Sequence, residues 1–183
     1  MNAVRSLKAK KEVDVKIIRV VIGAFLAMGL SSVASAQSFD TRNLFFGGGL
    51  SQNKISGGSG SGMGFQAFGG YTFGQVAPQM RVDAEVGYQD AKVKSPCVNV
   101  PIFGCIGGGD VHVKGLWATG VARYRVAPNI DLIGRAGLDF GDDDGFMYGI
   151  GAGYLLNRNS QLRLEYVVRQ NVNSLQFNFV YQP

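Results

Sequence analysis

His112 is the one histidine in the chain. An imidazole can activate a hydroxyl nucleophile when a serine and an orienting acid lie within reach. The local run Asp110-Val111-His112-Val113-Lys114 has no serine two residues away, and His112 reads as a surface residue at a strand end. Asp142-Asp143-Asp144 form an acidic cluster that could hold calcium, an ion that takes carboxylate oxygens, or could meet basic groups. Three adjacent carboxylates cannot all point at one ion unaided, so a solvated acidic turn is the favoured reading. Cys97 and Cys105 are the only cysteines. A metal site would need further ligands nearby, and the sequence supplies none. In an exported chain two cysteines of one loop read as a disulfide. The remaining candidates are charges at alternating positions: Arg81, Arg123, Arg125, Arg135, Arg163 and Arg169, against Asp83, Glu85, Asp131, Asp139 and Glu165. Two carboxylates can form an acid/base pair, but carboxylates interleaved with arginines read as a structural ionic set. No cofactor and no metal are implied.

These residues are positioned by an exported domain. The chain opens with a basic stretch, Arg5 to Arg19, followed by an apolar run of 11 residues, 20–30, and then Ala34-Ser35-Ala36 ahead of Gln37. That is the three-part secretory signal, with cleavage expected between Ala36 and Gln37. The apolar run is too short for a spanning helix, which needs roughly 20 residues. The expected organisation is a signal peptide over 1–36, a short periplasmic segment over 37–43, and one domain over 44–183. The formal net charge of +5 resides mostly in the signal. The first 36 residues carry six of the 18 basic residues and two of the 13 acidic ones, leaving 12 against 11. So balanced a domain has no basic field for nucleic acid.

Beyond Ala36 no helical stripe of useful length exists, and the dominant period is two. Over 80–89, Met80, Val82, Ala84, Val86 and Tyr88 fall on one face, and Arg81, Asp83, Glu85, Gly87 and Gln89 on the other. A strand points successive side chains to opposite faces, so one face is apolar and the other charged. The pattern recurs over 65–73, 130–140, 146–156, 162–169 and 175–181. Two less regular segments, 44–54 and 111–126, bring the expected strands to eight. In the first the facing is open. In the second, parity turns Trp117 toward the charged face and His112 and Lys114 away from it, unless a bulge shifts the register.

Alternation alone does not say which face is inside. A soluble sandwich or ligand-binding barrel would turn the apolar face inward. Three features favour the reverse. Aromatics gather at both strand ends: Tyr71, Phe73, Tyr124, Tyr154, Phe179 and Tyr181 at one, Phe65, Tyr88, Phe140 and Phe146 at the other. These are the girdles of a membrane barrel. The charged face is ionic and nearly balanced, which suits a closed lumen, because unpaired buried charge is costly. The signal sends the chain to a compartment where such barrels occur. Short links at 74–79, 127–129 and 157–160 read as periplasmic turns, and 55–62, 90–110, 141–145 and 170–173 as outer loops, with both termini periplasmic.

The runs Phe68-Gly69-Gly70-Tyr71, Asp83-Ala84-Glu85-Val86-Gly87-Tyr88, Gly149-Ile150-Gly151-Ala152-Gly153-Tyr154 and Leu162-Arg163-Leu164-Glu165-Tyr166 resemble the small outer-membrane β-barrel family, which includes OmpA-type membrane domains and opacity- and attachment-type proteins. The resemblance spans about 44–181. It implies an eight-stranded antiparallel up-and-down transmembrane barrel with a polar, filled lumen. It also implies an outer-membrane location, contact with outer-membrane lipid and lipopolysaccharide, and folding by the barrel-assembly machinery. Family members usually end on an aromatic residue that this machinery reads, and Tyr181 is the candidate here.

The function expected is non-enzymatic, structural or adhesion-like, and carried by the outer loops, where an extracellular protein or surface ligand would bind. The disulfide loop would present an apolar tip, Val100-Pro101-Ile102-Phe103, either to a partner or lipid or folded over the mouth. Asp142, Asp143 and Asp144 are the other loop contacts. Some barrels of this size modify lipid A with a His, a Ser and an acid, so an outer-leaflet enzyme is one alternative. A small channel of low conductance is another, since eight strands leave a bore that side chains can fill.

Overall fold

The structure is a computed structural model that describes residues 40–56, 60–95, 98–100, 104–106 and 109–183. A 3-10 turn, Thr41–Asn43, leads into the first strand. Its cap Asp40 accepts the backbone N–H of Arg42 at 3.0 Å, a bond that holds its carboxyl below the ordinary carboxylate range. Ten strands follow: β1 (Leu44–Ile55), β2 (Ser61–Ala77), β3 (Met80–Ser95), β4 (Val98–Val100), β5 (Gly104–Ile106), β6 (Gly109–Ala127), β7 (Ile130–Gly141), β8 (Gly145–Leu155), β9 (Ser160–Val168) and β10 (Val172–Tyr181). Eight of them close an antiparallel up-and-down barrel in the order β1-β10-β9-β8-β7-β6-β3-β2, and β4 and β5 pair separately as a small hairpin. The eight-stranded closed barrel expected from alternation is therefore the fold.

The apolar face is outside. Along β9, Leu164 and Tyr166 are exposed while Arg163 and Glu165 are each 1 % exposed. The first strand, whose facing the glycines obscure, puts Phe46 and Leu50 outward and Phe45, Ser51 and Asn53 inward. Trp117 faces the lumen, as parity requires, at 1 % exposure. Phe73, Tyr124, Tyr154, Phe179 and Tyr181 are exposed around the end that carries the termini, and Phe65, Tyr88, Phe140 and Phe146 around the loop end.

Two connections are shorter than expected. β3 continues to Ser95 and β6 starts at Gly109, so both ends of the expected loop 90–110 are paired strand. Alternation persists there because Val93 and Val113 bury against Val172 and Ile55 inside the loop-end mouth. Likewise β2 runs through most of the expected turn 74–79. Two register shifts, between Thr72 and Gly74 and between Gln75 and Ala77, absorb the extra residues. Gly74 takes φ +108°, a conformation that glycine adopts freely.

Inward glycines make the lumen fit its contents. An ideal Cβ on Gly47 would lie 2.4 Å from the Phe68 ring, one on Gly70 2.3 Å from the Phe45 ring, and one on Gly87 2.5 Å from Trp117. On β8, Gly151 and Gly153 leave space for Glu165 and Gln161 in the same way. Small residues thus alternate with large ones around a narrow bore, which fills it.

Candidate functional site

The charged face of the strands becomes a paired ionic core. Toward the termini end, Arg123 pairs with Asp83 at 2.6 Å and donates to Thr72 at 3.3 Å. Beside it, Arg125 pairs with Asp131, which also accepts from Gln161 at 2.8 Å. In the middle, Glu85 binds two guanidiniums, Arg163 at 2.6 Å and Arg135 at 3.1 Å. Arg135 reaches on to Glu165 at 2.8 Å. Toward the loop end, Arg169 pairs with Asp139 at 2.7 Å and donates to Ser174, which donates to Asn53 at 2.6 Å. These pairs join five arginines to five carboxylates, so the core is neutral. Arg81 is the expected member that stays outside it. It is exposed at the termini-end rim and pairs with no carboxylate among the described residues.

The lumen is also more apolar than expected. Phe45, Phe68, Trp117, Met147, Val167 and Val180 form one buried cluster inside it. The Arg135 guanidinium lies 5.4 Å from the Trp117 ring centroid, and that of Arg163 5.6 Å from the Phe45 ring centroid. Desolvated cation–π contacts of this kind contribute about 2 kcal/mol. All six belong to the inward parity, but isolated apolar residues among charges carry no signal in the sequence. Phe45 sits in the strand whose facing was open. At the loop end Val93, Val113, Val172 and Ile55 close the bore with an apolar plug.

In the acidic turn Asp142 and Asp144 are exposed and Asp143 is buried. Asp143 is 2 % exposed. Its carboxylate accepts the backbone N–H groups of Asn171 and Val172, at 2.8 and 3.0 Å, and the Asn171 side-chain amide at 2.8 Å. Asp142 accepts the N–H of Lys114 at 3.1 Å, and Asp144 that of Gly141. Each carboxylate therefore caps a different piece of backbone, because a loop end offers orphan N–H donors that need acceptors. No cluster of three or more metal-ligating side chains exists among the described residues. Asp143 latches the β7–β8 turn to the β9–β10 turn. Asp143→Ala strands these donors at an expected cost of about 1–3 kcal/mol. Hydrogen exchange at the amides of Asn171 and Val172 should accelerate while β9 and β10 stay protected, and unchanged exchange there would refute the latch.

His112 stands on the outer face, opposite Lys92 across β3 and β6. Val100 ends β4 and Cys105 is central in β5, paired in register with Asn99. Cys97, Pro101, Ile102, Phe103, Ala36 and Gln37 lie outside the described residues.

Residues 22–181 match the family described as the outer membrane protein beta-barrel domain. The chain belongs to this family. It is an outer-membrane β-barrel, and its place is the bacterial outer membrane. No curated protein matches the sequence. Among solved structures, a de novo designed transmembrane β-barrel is 17% identical, with TM-score 0.49 over 76% of this chain and 94% of that one. The attachment invasion locus protein of Yersinia pestis is 14% identical, with TM-score 0.48 over 75% of this chain and 95% of its own. Neisserial surface protein A is 12% identical, with TM-score 0.47 over 76% and 96%.

Proposed function

We propose that this outer-membrane barrel is a non-enzymatic surface-binding protein, with its termini in the periplasm behind a cleaved signal peptide and its loop end outside the cell. The observation that carries this reading is a projection. β6 pairs with β7 only from Gly115 onward, whereas it pairs with β3 back to Gly109. Residues 109–114 with 90–95 therefore stand beyond β7 by six residues, roughly 20 Å at the usual strand rise. They carry the β4–β5 hairpin at their tip. The β6 edge over 109–113 is not paired to β7, and such an edge offers backbone donors and acceptors to an incoming strand. Lys92, Lys94, His112 and Lys114 are exposed on its outer face, and Asp90 and Asp110 stand opposite two of these lysines in register. A wall of this kind fits the phosphorylated lipopolysaccharide surface at its base and a protein partner at its edge.

The alternatives have less support. The bore is filled by the ionic core and the valine plug, which disfavours a channel. His112 faces outward, across from a lysine and away from the lumen carboxylates, which disfavours a histidine-based lipid-modifying enzyme.

The test compares cells expressing the full chain with cells whose residues 91–113 are replaced by an Asn-Gly turn. Heat-modifiable migration on a gel verifies the barrel in both. Adherence to epithelial monolayers should fall to the empty-vector level in the shortened chain. Equal adherence of both, or full-length cells no more adherent than vector, would reject surface binding. Detergent sensitivity without any adherence phenotype would point to an envelope role.

A further inference from the structure

We propose that the termini-end mouth of the barrel is a binding site for a phosphoryl group. A cavity of about 190 Å³ opens there, lined by Gln75, Gln79, Arg81, Arg123, Arg125 and Asp131. Three arginines and two glutamines from β2, β3, β6 and the β2–β3 turn, with Asp131 of β7, thus line one small space.

Its charge is unbalanced in a defined way. Asp131 is engaged by Arg125 and Gln161, and Asp83 by Arg123. With those pairs made, the core is neutral and Arg81 is left over. Arg81 also stands directly opposite Arg123 in the β3–β6 register. Like charges directly opposite on one face of an antiparallel pair repel, and an anion between them reverses that sign. An exposed arginine at a rim is ordinarily just solvated. What sets Arg81 apart is the second arginine facing it, the third one beside it, and the backbone that surrounds them.

That backbone is irregular here and regular elsewhere. Among the described residues all three register shifts of the barrel fall in strands lining this mouth, two in β2 and one in β6 between Arg125 and Ala127. Gln79 takes φ +67°, the one non-glycine residue with positive φ among those described. Bulges re-aim side chains, and a strained backbone persists where surrounding structure holds it. Here they accompany Gln75 and Gln79 where both line the cavity.

The donors determine the ligand class. They come from separate backbone elements. A phosphoryl group presents three acceptor oxygens in three directions, whereas a carboxylate presents two in one plane. Arginine is suited to this task because its planar fork matches phosphate oxygens in pairs. The group could belong to free phosphate or to a phospholipid headgroup at the membrane surface, and the test separates the two.

Purified barrel in an uncharged detergent is titrated with inorganic phosphate at constant ionic strength, with chloride and acetate as controls. In a second arm a short-chain phosphatidic acid replaces phosphate. The readout is the urea midpoint followed by Trp117 fluorescence. A ligand that binds only the folded state raises that midpoint with the logarithm of its concentration above Kd. Arg81 belongs to no buried pair, so Arg81→Gln should fold as the parent does. The site predicts a midpoint that rises with phosphate and not with chloride or acetate. It also predicts an apparent affinity lowered about tenfold or more in Arg81→Gln. A response to phosphatidic acid alone, equally sensitive to Arg81→Gln, assigns the source to the headgroup and upholds the site. No response to either probe, or a response that survives Arg81→Gln, overturns it; the second outcome would place binding on the surface lysines.

Discussion

A barrel carrying Glu85→Leu is expected to lose about 3–5 kcal/mol of stability, the cost of removing one member of a buried ionic set. Glu85 is the costliest carboxylate to remove because it binds two guanidiniums at once, those of Arg163 and Arg135. Both arginine side chains are almost fully buried. Without Glu85, Arg135 keeps Glu165, but Arg163 retains only its bond to Gln161 at 2.8 Å and its ring contact with Phe45. The stranded charge therefore sits on Arg163. The double variant Glu85→Leu with Arg163→Met should recover much of the loss, since an apolar pair of similar volume often replaces a buried ion pair at little cost. Urea unfolding of the barrel refolded into lipid vesicles measures both. A neutral Glu85→Leu would mean that the lumen charges are hydrated, and a double variant no better than the single one would mean that shape matters there more than charge.

Gly137→Ala, one added methyl group, is expected to impair folding nearly as much. A Cβ at Gly137 would fall 2.0 Å from the Ala118 carbonyl oxygen and 2.6 Å from the Thr119 Cα. Both are backbone atoms of the neighbouring strand, which can move only if β6 and β7 part. The penalty should reach or exceed the ~3 kcal/mol upper end of ordinary overpacking. Gly134 of the same strand is the control. A Cβ there meets nothing within 4 Å, so Gly134→Ala should leave the midpoint unchanged. Equal tolerance at both positions would mean that β6 and β7 lie farther apart than the structure shows.

The contrast between these two glycines marks where the sequence becomes silent. Both sit in one alternating run, where parity puts them on opposite faces, but nothing in residue type says which of them is pressed against a neighbouring strand. Alternation was legible because side-chain facing in a strand is a local property. Hence the strand count and the placing of Trp117 on the charged face followed from parity, while the outward facing of the apolar side followed from the aromatic girdles, the balanced charges and the signal. Partnership was not legible, since it depends on register between strands far apart in the chain. That Glu85 holds two arginines, or that Arg81 lies beyond the balanced set, emerges only once Arg81 is seen opposite Arg123 and the ion pairs are traced across the bore. Asp143 illustrates the same limit. Three consecutive aspartates read as a solvated patch, while the amides that bury one of them come from a turn 28 residues away. The long outer loop was overestimated because turn residues are conspicuous and the pairing that continues through Val93 and Val113 is not.

The central claim is that the charged face lines the interior and the apolar face meets lipid. The single tryptophan permits a direct test. The barrel is refolded into vesicles of ordinary or dibrominated phosphatidylcholine, and tryptophan emission is compared for the natural chain and for the pair Trp117→Phe with Leu164→Trp. Trp117 is 1 % exposed inside the lumen and Leu164 is 53 % exposed outside. Bromine should leave Trp117 emission nearly unchanged and quench a tryptophan at position 164 strongly. Strong quenching of Trp117 with little effect at position 164 would mean that the wall is turned inside out, and the ionic core, the valine plug and the phosphoryl site would all fall with it.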